Sequence, residues 1–423
     1  MPTAEKVTPA LDLTHIRSQF PSLHQTVNGH PPAFLDGPGG TQVPQRVIDA
    51  ISDYLRRDNA NTGGAYFTSR HTDAMIAEAR VAMADFFHSG ADEVVFGPNM
   101  TTLTFAISRA IGRELKPGDE IVVTRLDHDA NVSPWIAMAE DRGVTVRWAE
   151  IHDADCTVDM ADLASKINAK TKLVAAGYAS NAVGTINPVK EIVQLAHKVG
   201  ALAYIDAVHY GPHGLMDVAA LDCDFLACST YKFFGPHMGV LYGKREHLKR
   251  FRPYKVRPNT NAIPNCWEWG TLNHECIAGI TACVEYIADL GRRVHPDVKT
   301  RRAAIEAAYA AIHEHERALT ERLIAGIKNI RGAKIYGITD PNRFDERCGT
   351  LAVRIDGHMP LELSTKLGER GFFTWDGNYY ALNLTEHLDV EKSGGFLRIG
   401  LVHYNTTEEV DRLLAALNEI VGA

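Results

Sequence analysis

Phe225-Leu226-Ala227-Cys228-Ser229-Thr230-Tyr231-Lys232-Phe233-Phe234-Gly235-Pro236 begins as an apolar run and ends in a charge. Asp224 to Cys228 has the length and composition of a buried strand; Ser, Thr and Tyr follow, then Lys232 and a Gly-Pro turn. The end of a buried strand is a costly place for a long cationic side chain, unless the amine is held near neutral or consumed as an imine. Upstream, Ala203-Tyr204-Ile205-Asp206-Ala207-Val208-His209 repeats the pattern with the opposite charge. Alone, Lys232 reads as a surface lysine with its stem laid along apolar neighbours. Paired with Asp206, it meets the needs of a pyridoxal phosphate (PLP) site: a lysine for Schiff-base linkage and an acid for the pyridine nitrogen.

Outward from these two stretches, strand-like and helix-like segments alternate. Glu120–Thr124, Val144–Glu150, Lys172–Gly177, Ala201–Asp206, Asp224–Ser229 and Gly239–Gly243 read as strands, with helical patterns such as Asp159–Ile167 and Val189–Val199 between them. This order predicts an α/β fold with a largely parallel sheet, whose ligands bind outside the carboxyl ends of the strands. His128, Asn181, Asp206 and Lys232 each fall just beyond a strand end, so one crevice can collect all four. A long helical stretch, about 299–330, leads into a second unit. It reads as strands at Ala333–Ile338, Thr350–Ile355, Gly371–Trp375 and Gly395–Leu401, with helices at Pro360–Glu369 and Thr407–Val421. A smaller α+β domain is the expected product.

At 423 residues the chain is long enough for two domains. A formal charge of −8 without a basic run argues against nucleic acid as a partner. No apolar stretch approaches the roughly 20 residues of a membrane helix. Met1-Pro2-Thr3-Ala4-Glu5-Lys6 lacks a signal-peptide pattern. Seven cysteines, with no Cys-x-x-Cys pair, predict reduced thiols, a cytoplasmic setting and no metal. His313-Glu314-His315-Glu316 lies in a helical pattern that sends residues two apart to different faces, so it reads as a solvated charge run. Gly239–Arg245 lacks the first glycine and the Ser/Thr of a phosphate loop, and Gly37-Pro38-Gly39-Gly40-Thr41 reads as an active-site turn.

The ordered motifs Asn-Met-Thr-Thr (99–102), Asp-His-Asp-Ala-Asn (127–131), Ser-Asn-Ala-Val-Gly-Thr (180–185), Asp-Ala-Val-His (206–209) and Ser-Thr-Tyr-Lys (229–232) resemble class V aminotransferases. Trp-Glu-Trp-Gly-Thr (267–271) and Phe-Leu-Arg-Ile-Gly-Leu-Val-His-Tyr-Asn-Thr (396–406) extend the likeness, which is nearest to the cysteine desulfurase and selenocysteine lyase branch. The resemblance implies the fold-type I architecture of PLP-dependent transferases. That is a large domain with a mostly parallel seven-stranded sheet and a smaller α+β C-terminal domain, in a homodimer with shared sites. The expected division is an arm, 1–30, joining the small domain, then 31–295 and 296–423. By the same likeness His128 lies on the cofactor ring, Asn181 and His209 stand beside its O3′, and Arg398 grips the substrate carboxylate. Ser229 and Tyr231 match the family's phosphate-binding serine and histidine, and Thr271 matches a threonine that reaches the phosphate from the other subunit. Met100 and Thr101, opening a helix after a strand-like Val94–Phe96, present backbone N–H groups to the same anion.

The family's desulfurases carry a nucleophilic cysteine on a small-domain loop. The matching stretch, Gly371-Phe372-Phe373-Thr374-Trp375-Asp376-Gly377-Asn378-Tyr379-Tyr380-Ala381, has none. Tyr380 stands where the thiol should be, and Trp375 replaces an arginine, so both are expected at the substrate. A phenol cannot form a persulfide. The expected activity is therefore PLP chemistry on a small α-amino acid, through an external aldimine, with Lys232 taking the Cα proton. Elimination, transamination and epimerisation all remain open, with a lyase of the C–S β-elimination type favoured by branch resemblance. The alternative of another class is a PLP-binding partner protein that has lost catalysis.

Overall fold

The computed structural model describes residues 11–422. The first six residues, and part of the 1–30 arm read above, lie outside them. Seven strands form one sheet: β1 (Val94–Gly97), β2 (Glu120–Thr124), β3 (Thr145–Ala149), β4 (Thr171–Gly177), β5 (Leu202–Asp206), β6 (Phe225–Ser229) and β7 (Gly239–Gly243). Their spatial order is β1-β7-β6-β5-β4-β2-β3, and only β7 runs antiparallel to its neighbours. Alternate residues serve opposite faces, as a period of two requires. Val95, Ile121, Leu173 and Phe225 join one hydrophobic cluster, while Val94, Val122, Val174 and Leu226 join another. Both faces are covered, which is the condition under which parallel strands become continuous apolar runs. The edge strand β3 departs from this rule and alternates exposed with half-buried positions.

The small unit is a four-stranded antiparallel sheet of β8 (Ala333–Tyr336), β9 (Thr350–Ile355), β10 (Trp375–Gly377) and β11 (Phe396–Gly400), in the order β8-β9-β11-β10. The stretch 371–375, expected as one strand, is divided. Phe372–Phe373 pairs in parallel with Ala33–Phe34, and the chain changes sheets at Thr374 before β10 begins. The first expected strand of this unit also stops two residues early, where Gly337 takes a φ of +96°.

Three helices matter for the site and its support: α1 (Met100–Gly112), α2 (His274–Val294) and α3 (Arg301–Lys328). α3 belongs to two cores, with Ile305, Ala308 and Ile312 packed in the large one and Leu319, Leu323 and Ile327 in that of the small sheet. The N-terminal segment also ties both regions, since Phe20 sits in the large core while Arg17 pairs with Glu409 at 2.8 Å. No helix of the described residues is long and apolar enough to cross a membrane.

Candidate active site

Register carries the site residues to one place. Gly177 at the end of β4 is opposite Asp206 at the end of β5, and Asp206 is opposite Ala227 near the end of β6. The loop after β2 brings Asp127 and His128 to the same edge. Met100, Thr101, Asp127, His128, Asn181, Asp206, His209, Ser229, Tyr231 and Lys232 all line one inner pocket. An adjoining cavity of about 450 Å³ is lined by Thr101, His128, Asn181, Tyr231 and Lys232 again, and adds Trp375, Tyr379, Tyr380 and Arg398. Every expected site residue but one therefore meets here. Thr271 lies apart, in a separate surface cavity with Asn61, Arg80 and Glu268.

At the deep end Asn99 caps α1, accepting from Thr102 N at 2.8 Å, and Met100 N donates to Ser229 Oγ at 3.1 Å. Ser229 thus accepts from the helix and keeps its own hydroxyl proton for an anion in front of that helix. Gly239 makes this turn possible: a Cβ there would meet the Asn99 carbonyl carbon at 2.3 Å.

Lys232 Nζ hydrogen-bonds the Pro38 carbonyl in the Gly37–Gly40 turn. Burial, and next the Arg398 charge, push this amine down to about 7, against the opposing pull of Asp206 and Asp36. Asp206 is raised to about 6 by burial, although Val208 N donates to its Oδ1 at 2.9 Å. Burial also lifts Asp127 to about 7, with Gly177 N, Thr124 and Asn131 bonded to its carboxylate at 2.8, 3.0 and 2.9 Å. His128 is held down to about 3, first by burial and then by Lys232 and Arg398. These shifts let proton donors and acceptors sit side by side near neutral pH.

Arg398 projects from β11, with its guanidinium 4.1 Å from the centre of the Tyr379 ring and NH1 donating to Asn181 O at 3.0 Å. Asn181 in turn donates to Tyr379 O at 2.9 Å. The Tyr379 and Tyr380 backbones both take positive φ, 52° and 63°, a conformation that costs bulky residues about 1–3 kcal/mol each. The turn is held by Asn378, whose side chain accepts from Tyr380 N at 3.0 Å and donates to Glu391 at 2.9 Å. Tyr380 is consequently presented outward, 72% exposed, and stacks on His128 with ring centres 5.4 Å apart. Trp375 is half exposed and lies over Gly39, where a Cβ would meet its Nε1 at 2.5 Å.

Several buried polar atoms have no protein partner: Asn181 Oδ1, both ring nitrogens of His209, Arg398 Nε and Asp36 Oδ1. Unmet groups of this kind are costly unless a ligand or water completes them. An anion seat at a helix end, a buried near-neutral lysine and a buried carboxylate fit PLP, and an arginine with a free Nε fits a carboxylate. Asp36, Asp127 and Tyr379 are additions to the expected set. Asp127 directly precedes His128 in its motif, which was the available signal; Asp36 precedes the glycine-rich turn. No cysteine is among the residues lining either cavity.

The sequence matches the family described as Aminotransferase class-V over residues 33–413. A cysteine desulfurase of Dickeya dadantii (strain 3937) is 32% identical over 424 residues, covering 96% of each chain. An aminotransferase-like protein of Gibberella zeae, FGM3, is 30% identical over 423 residues, with 97% of this chain and 99% of that one covered. The apo structure of a cysteine desulfurase from Thermococcus onnurineus NA1 superposes with a TM-score of 0.86 at 25% identity, over 98% of this chain and 99% of that one.

Proposed function

The chain belongs to the class V aminotransferase family of PLP-dependent enzymes, and from that footing we propose that it is a lyase. It would cleave a β-substituent, such as a C–S bond, from a small α-amino acid without a persulfide on a protein cysteine. One observation carries this reading: in the stretch matching the desulfurases' cysteine loop, Tyr380 faces the substrate cavity on top of His128, and no cysteine lines that cavity.

PLP supplies an electron sink for the carbanion left when an amino acid loses its Cα proton. The rest is assigned to this chain's side chains. Lys232 would hold the cofactor through Nζ and, once displaced by substrate, take the Cα proton; an amine near 7 is neutral often enough to do so. Asp206 would hold the proton on the pyridine nitrogen, and His128 would cover the ring. Asn181 and His209 would serve the O3′ side. Ser229, Tyr231 and the Met100 and Thr101 amides would bind the phosphate. Arg398 would orient the substrate carboxylate with its planar fork. Trp375 and Tyr380 would wall off the side-chain end, favouring a small uncharged substituent and excluding water.

We also infer the division into 31–295 and 296–423, and a homodimer in which Thr271 completes the neighbour's phosphate site. The activity is tested with a panel of small α-amino acids carrying β-leaving groups, scored for α-keto acid and ammonia. Stoichiometric keto acid and leaving group support the lyase. Keto acid formed only with a second keto acid as amino acceptor would make it an aminotransferase and overturn the reading.

A further inference from the structure

Next to the inner pocket, and sharing His209 with its lining, stands a second set of chemically capable side chains, of which His213 and Cys348 take no part in the roles above. His209, His213 and Cys348 are all buried, and one donor atom from each lies within 4.8 Å of the others. The two imidazole rings meet edge to face, 5.1 Å between centres. Three of their four ring nitrogens have no partner: both of His209 and Nε2 of His213. The fourth, His213 Nδ1, is bonded to Glu316 Oε2 at 2.6 Å. A carboxylate on the outer nitrogen of an imidazole is the arrangement that fixes ring orientation and raises basicity at metal sites. The cysteine is positioned independently, with its N donating to Gly184 O at 2.8 Å just ahead of β9. An approach also exists, because His213, Glu316 and Cys348 line a cavity of about 950 Å³ whose lining does not include Lys232.

We propose that His209, His213 and Cys348 form a zinc site supported by Glu316. Two imidazoles and a thiolate suit a borderline-soft divalent ion. Bond lengths of about 2.0–2.3 Å hold the donors of a tetrahedral zinc roughly 3.3–3.6 Å apart, so about an ångström of side-chain adjustment closes the cluster. Zinc takes the place of the Cys348 thiol proton, which leaves to bulk water, and the fourth coordination position opens on the cavity. The ion would pin the turn after β5 to α3 and to the entry of β9. Ligation through one His209 nitrogen also fixes the proton on the other, making that nitrogen a donor. Cysteine spacing carried no trace of this site, because its ligands come from two distant segments and its carboxylate from a third.

The test uses full-length, cofactor-loaded protein, stripped with a chelator, dialysed, and titrated with zinc chloride or cobalt chloride. The expected result is one equivalent of zinc per chain by plasma mass spectrometry and a raised unfolding temperature. Cobalt should give tetrahedral visible bands and a thiolate charge-transfer band, read as a difference from the zinc form. Cys348→Ser should abolish that band, and Glu316→Gln should weaken zinc binding about ten- to a hundredfold. If Cys348→Ser does not fold, Glu316→Gln and the wild-type cobalt spectrum decide. Failure to retain an equivalent of zinc, absence of the thiolate band in wild type, or zinc affinity unchanged by Glu316→Gln overturns the proposal. None of these readouts depends on turnover, so the lyase assignment stands or falls separately.

Discussion

The role proposed for Lys232 as a base rests on where it is buried, and its chemistry should follow that burial. Above about pH 7 the amine is neutral and its lone pair can attack an aldehyde; below, it carries a proton and cannot. Capture of added PLP by cofactor-stripped enzyme should therefore rise through neutral pH and level off by about pH 8, well short of the ordinary lysine range. Stopped-flow absorbance measures this, and a rate still climbing toward pH 10 would contradict the burial argument. Asp206→Asn should still bind cofactor but lose roughly a hundredfold or more in turnover, because the ring nitrogen loses its fixed anion. Steady-state rates near wild type would remove Asp206 from the chemistry. Both residues were legible in the sequence, since an apolar run ending in a charge is a local pattern. Asp36 and Asp127 were not singled out, because their raised protonation ranges come from tertiary burial. Equally hidden was the outward turn of Tyr380, which depends on the brace from Asn378 to Glu391.

At the scale of elements, the parallel strands were readable because burial on both faces leaves apolar runs bounded by turns. β5 and β6 each fall one residue inside the expected span, and β7 matches it. The division after Phe373 was not readable, since 372–375 offers no glycine or proline to mark the change of sheets. α2 has no counterpart among the sequence expectations; it is packed into the large core by Ile277, Val284 and Ile287. One buried contact fixes the approach to Thr271. Arg80 on helix Phe67–Phe87 grips Glu268 with two bonds, at 2.8 and 2.7 Å, and Glu268 also accepts from Phe96 N of β1 at 2.9 Å. Arg80→Ala leaves that carboxylate buried without its cation and should cost about 3–5 kcal/mol. Urea unfolding measures this, and a loss below about 1 kcal/mol would mean that water replaces the arginine.

For the whole molecule, the crevice at the strand ends is complete but for one expected residue, and Thr271 belongs to another surface of the same chain. Near it Tyr254, Val256 and Trp269 are exposed by 47%, 62% and 39%, an apolar grouping suited to a covered face. Light scattering should therefore report a dimer, and Thr271→Ala should lower cofactor retention despite its distance from its own chain's pocket. A fully active monomer would contradict the shared site. Motif order announced the architecture, because the first five of the seven quoted motifs stand at strand ends; a share from a partner could be expected only by resemblance. The proposed lyase chemistry parts from that of the desulfurases at Tyr380. The most direct test is incubation with L-cysteine, followed by product analysis and intact-protein mass. The account predicts pyruvate and free sulfide, or no turnover, with no sulfur added to the protein. Alanine as product, with a persulfide mapped to any of the seven cysteines, would contradict it.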